Sequence, residues 1–301
     1  MLIERSTNLS TFLQQIINGL SIGSVYALMA VGYSLVYSIM NFSNFAHGGI
    51  IMLGAYFGYY SLTALKVPFA LAMIIAALGA GFIALMCERL AYRPLRKRNA
   101  PSLYLIISAM GMSIFLENIV VATIGPTFKT YPQVYDPNPI MLGGNVALGR
   151  LDLSMFIVSA ISLGILVFII EKTKIGLAIR AASYSDRAST LMGVNVNTVI
   201  MTIFLIGGVL AGIAGVFFGM KYTVYPQIGN ITLKSFIAAV FGGLGSLPGA
   251  VIGSVLLGII EALVSGLVSS TYRDLVSFTL LILVLVIHPS GLMGKTTVDK
   301  A

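Results

Sequence analysis

Few side chains in this chain are equipped for chemistry. It has two histidines, His47 and His288, and one cysteine, Cys87. No His, Cys, Asp and Glu recur at metal-ligand spacing, and no nucleophile, base and acid group into a catalytic set. One nucleotide-like motif lies at the C-terminal end, where Gly294-Lys295-Thr296 matches the close of a G-x-x-x-x-G-K-[ST] phosphate loop. Pro289 replaces its first glycine, and an apolar helix precedes it instead of a strand. The expectation is a protein without metal or cofactor that is not an enzyme, so any ATP hydrolysis belongs to another chain.

The remaining polar candidates sit in apolar surroundings. Glu88, Glu117 and Glu261 are carboxylates within apolar segments, where a charge is costly unless paired or hydrated. Glu88 adjoins Arg89 and reads as an interfacial residue. Glu117 and Glu261 either hydrogen-bond a neighbouring helix or line a polar route. Asn41, Asn44 and His47 recur every three residues, so on a helix they share one face. They line a translocation pathway or cap and pack a broken helix.

These residues need a scaffold, and composition names it. Hydrophobic residues make up 57% of the chain and charged residues 9%. Nothing between Arg5 and Lys66 is charged, although one helical crossing takes only about 20 residues. Further uncharged runs cover Val67–Cys87, Asn99–Leu116, Leu153–Ile170, Ala188–Met220, Ser235–Ile260 and Leu275–Gly294. The runs are continuous, not alternating, which indicates helices and not barrel strands. The expected fold is all-α and polytopic, with about eight or nine transmembrane helices, forming a single transmembrane domain over residues 1–301. The first apolar run, Phe12–Met40, is too long for one upright helix, and Gly32 marks a tilt or break. The Pro-rich stretch Gly125–Asp152 reads as an external loop, and Thr232–Leu247 as a re-entrant half-helix or short span.

The net charge of +8 does not indicate nucleic acid. The cations cluster in two loops, Arg89, Arg93, Arg96, Lys97 and Arg98, then Lys172, Lys174, Arg180 and Arg187. That is the positive-inside pattern, which places both loops in the cytoplasm of a multi-pass plasma (inner) membrane protein. Two glycine-interrupted apolar segments, Asn41–Gly54 and Gly229–Gly253, fit a pathway built from internal repeats, or close helix packing.

The segment about residues 175–198 is larger than a simple connection needs. It is polar and rich in small residues, with two short helical pieces and a glycine turn. Such a knob suits docking into a groove on a soluble partner. Its pattern resembles the cytoplasmic coupling loop of ABC importer permeases of the branched-chain amino-acid (LivH-like) family, through Gly176, Ala178, Arg180, Ala181, Asp186, Ala188 and Gly193-Val194. Ala188 stands one residue nearer Asp186 than that pattern has it. Asn18-Gly19-Leu20 through Tyr26-Ala27-Leu28, Asn44-Phe45-Ala46-His47-Gly48, Met52-Leu53-Gly54-Ala55-Tyr56, Phe241–Ala250 and Pro289–Gly294 are similar to further elements of that family, with His288 where arginine is usual. Urea and short-amide permeases share much of this pattern.

The resemblance implies a heteromeric, ATP-driven importer with leucine, isoleucine or valine as substrate. Its partners would be two cytoplasmic ATPase subunits, a second permease subunit and an extracytoplasmic solute-binding protein. Ala181, Ala182, Ala188, Leu191 and Met192 would seat the knob on the ATPase. Arg180 and Asp186 would orient it, and Gly193 would end its second helical piece. A self-sufficient channel or secondary transporter is the alternative. It would use Glu117 and Glu261 as ion sites and leave the knob unexplained.

Overall fold

The computed structural model describes residues 2–143 and 146–294, without the side chains of residues 2–9, Leu142 and Asp186. The helices are α1 (Leu2–Met40), α2 (His47–Thr63), α3 (Phe69–Cys87), α4 (Arg93–Lys97), α5 (Ser102–Ile124), α6 (Arg150–Lys172), α7 (Lys174–Tyr184), α8 (Asp186–Leu191), α9 (Val196–Lys221), α10 (Thr232–Gly242), α11 (Leu247–Leu267) and α12 (Tyr272–Ile287). A π-turn, Glu88–Tyr92, joins α3 to α4, and a 3-10 turn, Pro226–Ile231, precedes α10.

Among the described residues six helices are long and apolar enough to cross a membrane: Ser10–Met40, Phe69–Lys97, Ser102–Ile124, Arg150–Lys172, Val196–Lys221 and Leu247–Leu267. The count of eight or nine is therefore not reached on length alone. Helices α2 and α12 are apolar but have only 17 and 16 residues, short of the about 20 that a full crossing takes. Helix α10 has 11 residues, about 17 Å of rise, and is a half-helix by length.

The first run departs from expectation. Helix α1 is continuous through Gly32. A Cβ on Gly32 would stand 3.1 Å from the Gly207 carbonyl oxygen and 3.1 Å from the His47 ring. The glycine serves close approach, not a break. The Gly125–Asp152 stretch also holds structure. Strands β1 (Ile140–Gly143) and β2 (Val146–Leu148) pair antiparallel, with Ile140 opposite Leu148 and Met141 opposite Ala147.

The chain packs as two compact units. The described residues of one are 2–30, 133–143, 146–160 and 234–294; those of the other are 31–132 and 161–233. In the first, α1 lies backbone-to-backbone on α11. A Cβ on Gly19 would meet the Ile259 Cα at 2.6 Å, and one on Gly258 the Gly23 Cα at 2.5 Å. Gly19 and Gly23 are four apart, as are Ser254 and Gly258, the small-residue spacing that lets helices touch without a hydrophobic driving force between them. In the second unit α2, α3 and α9 do the same. A Cβ on Gly215 would lie 2.2 Å from the Ile51 carbonyl oxygen, and one on Gly212 would lie 2.6 Å from that of Ala76.

Candidate functional site

The knob is built by local capping. Thr173 separates α6 from α7 and its hydroxyl accepts the Gly176 N–H at 3.1 Å. Ser185 ends α7, and its hydroxyl accepts the Ala188 N–H at 3.2 Å to start α8. Gly193 follows α8 at φ +84°, a left-handed turn that glycine takes without a Cβ penalty. The Asn195 side chain then accepts the Thr198 N–H and opens α9.

The two faces of the knob differ. Inwardly, Gly176 lies against the last turn of α6, where a Cβ would come within 2.2 Å of the Ile170 carbonyl oxygen. The Arg180 guanidinium donates to that same oxygen at 2.6 Å, satisfying one of the carbonyls that a helix end leaves open. Ile179 and Ala182 are buried. Outwardly, Tyr184 is 95% exposed, Leu191 81% and Met192 86%. Ala188 and Arg187 are exposed and Ala181 is half-buried. The expected seating set is therefore divided. Ala188, Leu191 and Met192 face outward, whereas Ala182 is consumed by intramolecular packing and Arg180 ties the knob to α6. The Asp186 side chain lies outside the described residues, as do Lys295 and Thr296. Tyr184 was not singled out from sequence; an aromatic among small residues was the available signal. An open apolar groove, lined by Ile175, Ala178, Val194, Asn195, Thr198, Val199 and Thr202, lies where α7 meets the start of α9.

The Asn41–His47 trio does not share a helical face. Asn41 takes φ +50° just past the end of α1 and is exposed, a left-handed position that asparagine tolerates better than most residues. Residues 42–46 are non-helical, and His47 is the first residue of α2. Asn44 is buried, and its side-chain oxygen accepts the Tyr92 hydroxyl at 2.7 Å. The Tyr92 ring packs on Phe42 and Phe204. His47 is buried with its ring edge-on to Tyr33. Gly48 allows the chain past the Gly229 carbonyl oxygen, which a Cβ would meet at 2.2 Å. Glu88 opens the π-turn, is fully buried, and pairs with Arg96 at 2.8 Å. Glu117 is half-buried on α5, between buried Leu116 and exposed Asn118.

Glu261 is the most heavily bonded carboxylate among the described residues. It is 2% exposed. One oxygen accepts Lys234 Nζ and the Ser277 hydroxyl, both at 2.5 Å. The other accepts the Tyr26 hydroxyl at 3.0 Å, with Arg273 Nε at 3.9 Å. Lys234 also reaches Asp274 at 2.6 Å. Helices α1, α10, α11 and α12 meet on this one group. Lys234 was missed in the sequence; as the single cation between Lys221 and Arg273 it was visible there.

The two C-terminal glycine motifs close on each other. The Leu292 N–H donates to the Phe241 carbonyl at 3.0 Å and the Met293 N–H to the Gly242 carbonyl at 2.9 Å. Gly243 at φ +110° and Gly291 at φ +72° lie in direct backbone contact, so that a Cβ on Gly291 would stand 2.5 Å from the Gly243 Cα. The tail thus holds the C-terminal end of α10, whose carbonyls would otherwise lack partners.

Residues 15–285 match the family model described as "Branched-chain amino acid transport system / permease component". The chain belongs to this family. It is a membrane permease component and not itself an enzyme. Relatives of this permease align over nearly all of it. The high-affinity branched-chain amino acid transport system permease protein BraD of Pseudomonas aeruginosa is 39% identical over 96% of this chain and 98% of its own. The corresponding LivH protein of Escherichia coli K12 is 39% identical over 96% and 97%. A probable branched-chain amino acid transport permease protein LivH of Methanocaldococcus jannaschii is 30% identical over 90% and 89%.

Proposed function

We propose that this permease is the membrane-spanning subunit of an ATP-driven importer of leucine, isoleucine and valine. The observation that carries the substrate class is full-length similarity at 39% identity to permeases of high-affinity branched-chain amino acid transport systems. The partners in this reading are two cytoplasmic ATPase subunits, a second permease subunit and an extracytoplasmic solute-binding protein. The knob of α7 and α8 is the ATPase contact. Tyr184, Leu191 and Met192 form its apolar tip, a combination of aromatic and flexible thioether suited to a pocket on a soluble protein.

Orientation follows from charge and one hydrogen bond. The basic turn Arg89–Arg98 and the knob, with Lys172, Lys174 and Arg187, lie on the cytoplasmic side. The Asn44–Tyr92 bond brings the end of α1 to the same side as the basic turn. The start of α1 is then external, as are the β1–β2 hairpin and the 3-10 turn before α10. The whole chain works as a single permease domain, in which α2 and α12 complete the crossings that the six longer helices begin.

The test is uptake of labelled leucine by the assembled system, reconstituted with its ATPase and binding-protein partners. Leucine, isoleucine and valine compete for uptake and urea does not. Competition by urea without competition by leucine moves the substrate to short amides. Uptake that persists without the ATPase subunits removes the ATP-driven reading.

A further inference from the structure

Helix α3 exposes Leu71, Ile74, Leu78 and Phe82. Their spacing of three and four puts them in one stripe along the helix. Seven residues beyond Phe82 the same face reaches Arg89, which is exposed with Leu90 beside it. Leu71 to Arg89 spans about 27 Å of helical rise, close to the thickness of a hydrocarbon core of about 30 Å. If the stripe faces acyl chains, Arg89 stands at the depth of the phosphates on one leaflet.

The π-turn shapes what lies there. It buries Glu88 and Tyr92 and leaves Arg89 and Leu90 outside. Glu88 engages Arg96 at 2.8 Å. Arg89, Lys97 and Arg98 remain exposed, with Arg93 half-buried between them. At the start of α5, which packs on the same turn, Leu103 and Tyr104 are exposed, the type of aromatic residue that settles at headgroup level. A cationic cluster thus caps a continuous apolar stripe with an aromatic at its edge. An acidic protein surface complements the charge alone. An anionic phospholipid complements the charge, the stripe and the aromatic together.

We propose that the Arg89–Arg98 turn binds the phosphodiester headgroup of an anionic phospholipid, whose acyl chain lies along Phe82 and Leu78. This rests on the membrane reading of α3 and not on the transported solute, so it stands or falls separately from leucine uptake.

The probe is phosphatidylglycerol, mixed with phosphatidylcholine in nanodiscs that hold the assembled transporter, with retained lipid read by native mass spectrometry. The R89Q/K97Q/R98Q variant removes three exposed charges and leaves the Glu88–Arg96 pair in place. Each juxtamembrane cation is worth roughly a fivefold change in apparent affinity, so retention of phosphatidylglycerol falls about a hundredfold. Phe82→Ser, which keeps every charge, also lowers retention, and excess inorganic phosphate does not displace the lipid. Equal retention by wild type and the triple variant overturns the site. So does loss of the co-purifying ATPase with lipid retention unchanged, which makes the turn a protein contact. Displacement by inorganic phosphate overturns the role of the stripe.

Discussion

Removing both partners of the Lys234–Glu261 pair is predicted to destabilise the protein no more than removing either one alone. Glu261 is 2% exposed and Lys234 Nζ lies 2.5 Å from it. Breaking a buried pair from one side leaves an uncompensated charge and costs about 3–5 kcal/mol. Glu261→Gln leaves Lys234 a neutral amide acceptor and, as its one charged partner in the described contacts, Asp274, a side chain that is 66% exposed and worth about 0–1 kcal/mol at best. Lys234→Met leaves the carboxylate with the Tyr26 and Ser277 hydroxyls and a distant Arg273. Each single change should therefore cost about 3 kcal/mol, the lower end of that range. The double variant K234M/E261Q removes both charges, keeps an acceptor for Tyr26, and should cost no more than either single change. The coupling is then about 3 kcal/mol. At about 2–4 °C per kcal/mol the single variants melt roughly 6–12 °C below wild type. The assay is the loss of monodisperse permease on heating in detergent, measured for all four proteins of the cycle. A double variant that loses the sum of the two singles would refute the pairing and make the two residues independent.

The glycine contacts give sharp controls. Gly215→Ala puts a Cβ 2.2 Å from the Ile51 carbonyl oxygen, whereas Gly164→Ala meets nothing within 4 Å. The first should abolish folded protein on size exclusion and the second should leave melting unchanged or raised; equal behaviour refutes the close packing of α9 on α2. Gly291→Val places a β-branched residue at φ +72° against Gly243. It should release the tail from α10, seen as faster proteolysis after Ile287, and unchanged cleavage would mean the tail docks by other means. Truncating the knob tip, Tyr184→Ala with Leu191→Ser and Met192→Ser, should abolish co-purification with the ATPase and leave the melting temperature within about 1 °C, since exposed changes cost little. Ala182→Trp, in contrast, should destabilise the permease itself because Ala182 is 3% exposed; retained ATPase binding by the tip variant assigns the contact elsewhere.

Hydropathy made each long helix legible because burial in lipid or protein demands apolar residues over the whole length. It did not reveal which helices touch. Gly19 and Gly258 are packed together across more than two hundred residues of sequence, and small-residue spacing names a contact without naming its partner. The same limit explains Glu261. Its burial cost was legible, but its cation lay on the short helix α10, where one lysine reads like a loop charge. For Asn41, Asn44 and His47 two readings stayed open, a shared face or the capping and packing of a broken helix, because a spacing of three implies a face only if the helix continues. The left-handed turn at Asn41 ends it. In the knob, composition marked the segment but could not separate Ala182 from Ala188. Which alanine turns inward is decided by Gly176 and Arg180 against α6, a contact with no periodic signature.

Those two contacts bear on how a push on the knob travels. One residue, Thr173, separates α6 from α7, and a free single-residue joint would swing. Here Gly176 allows no gap against Ile170, and Arg180 holds the same carbonyl. Turning α7 about Thr173 therefore requires losing a charge-assisted hydrogen bond and opening a void, so α7 follows the end of α6 as one body. At the other end four residues, Met192 to Asn195, separate α8 from α9, with Gly193 in a left-handed turn and Asn195 as the cap. Helix α9 in turn has backbone contact with α2 through Gly215 and with α3 through Gly208 and Gly212. Close-packed backbones have no slack to absorb a shift of an ångström. In the importer reading, displacement of the exposed tip of α8 is thus delivered to α6 and α9 together, and from α9 to α2 and α3.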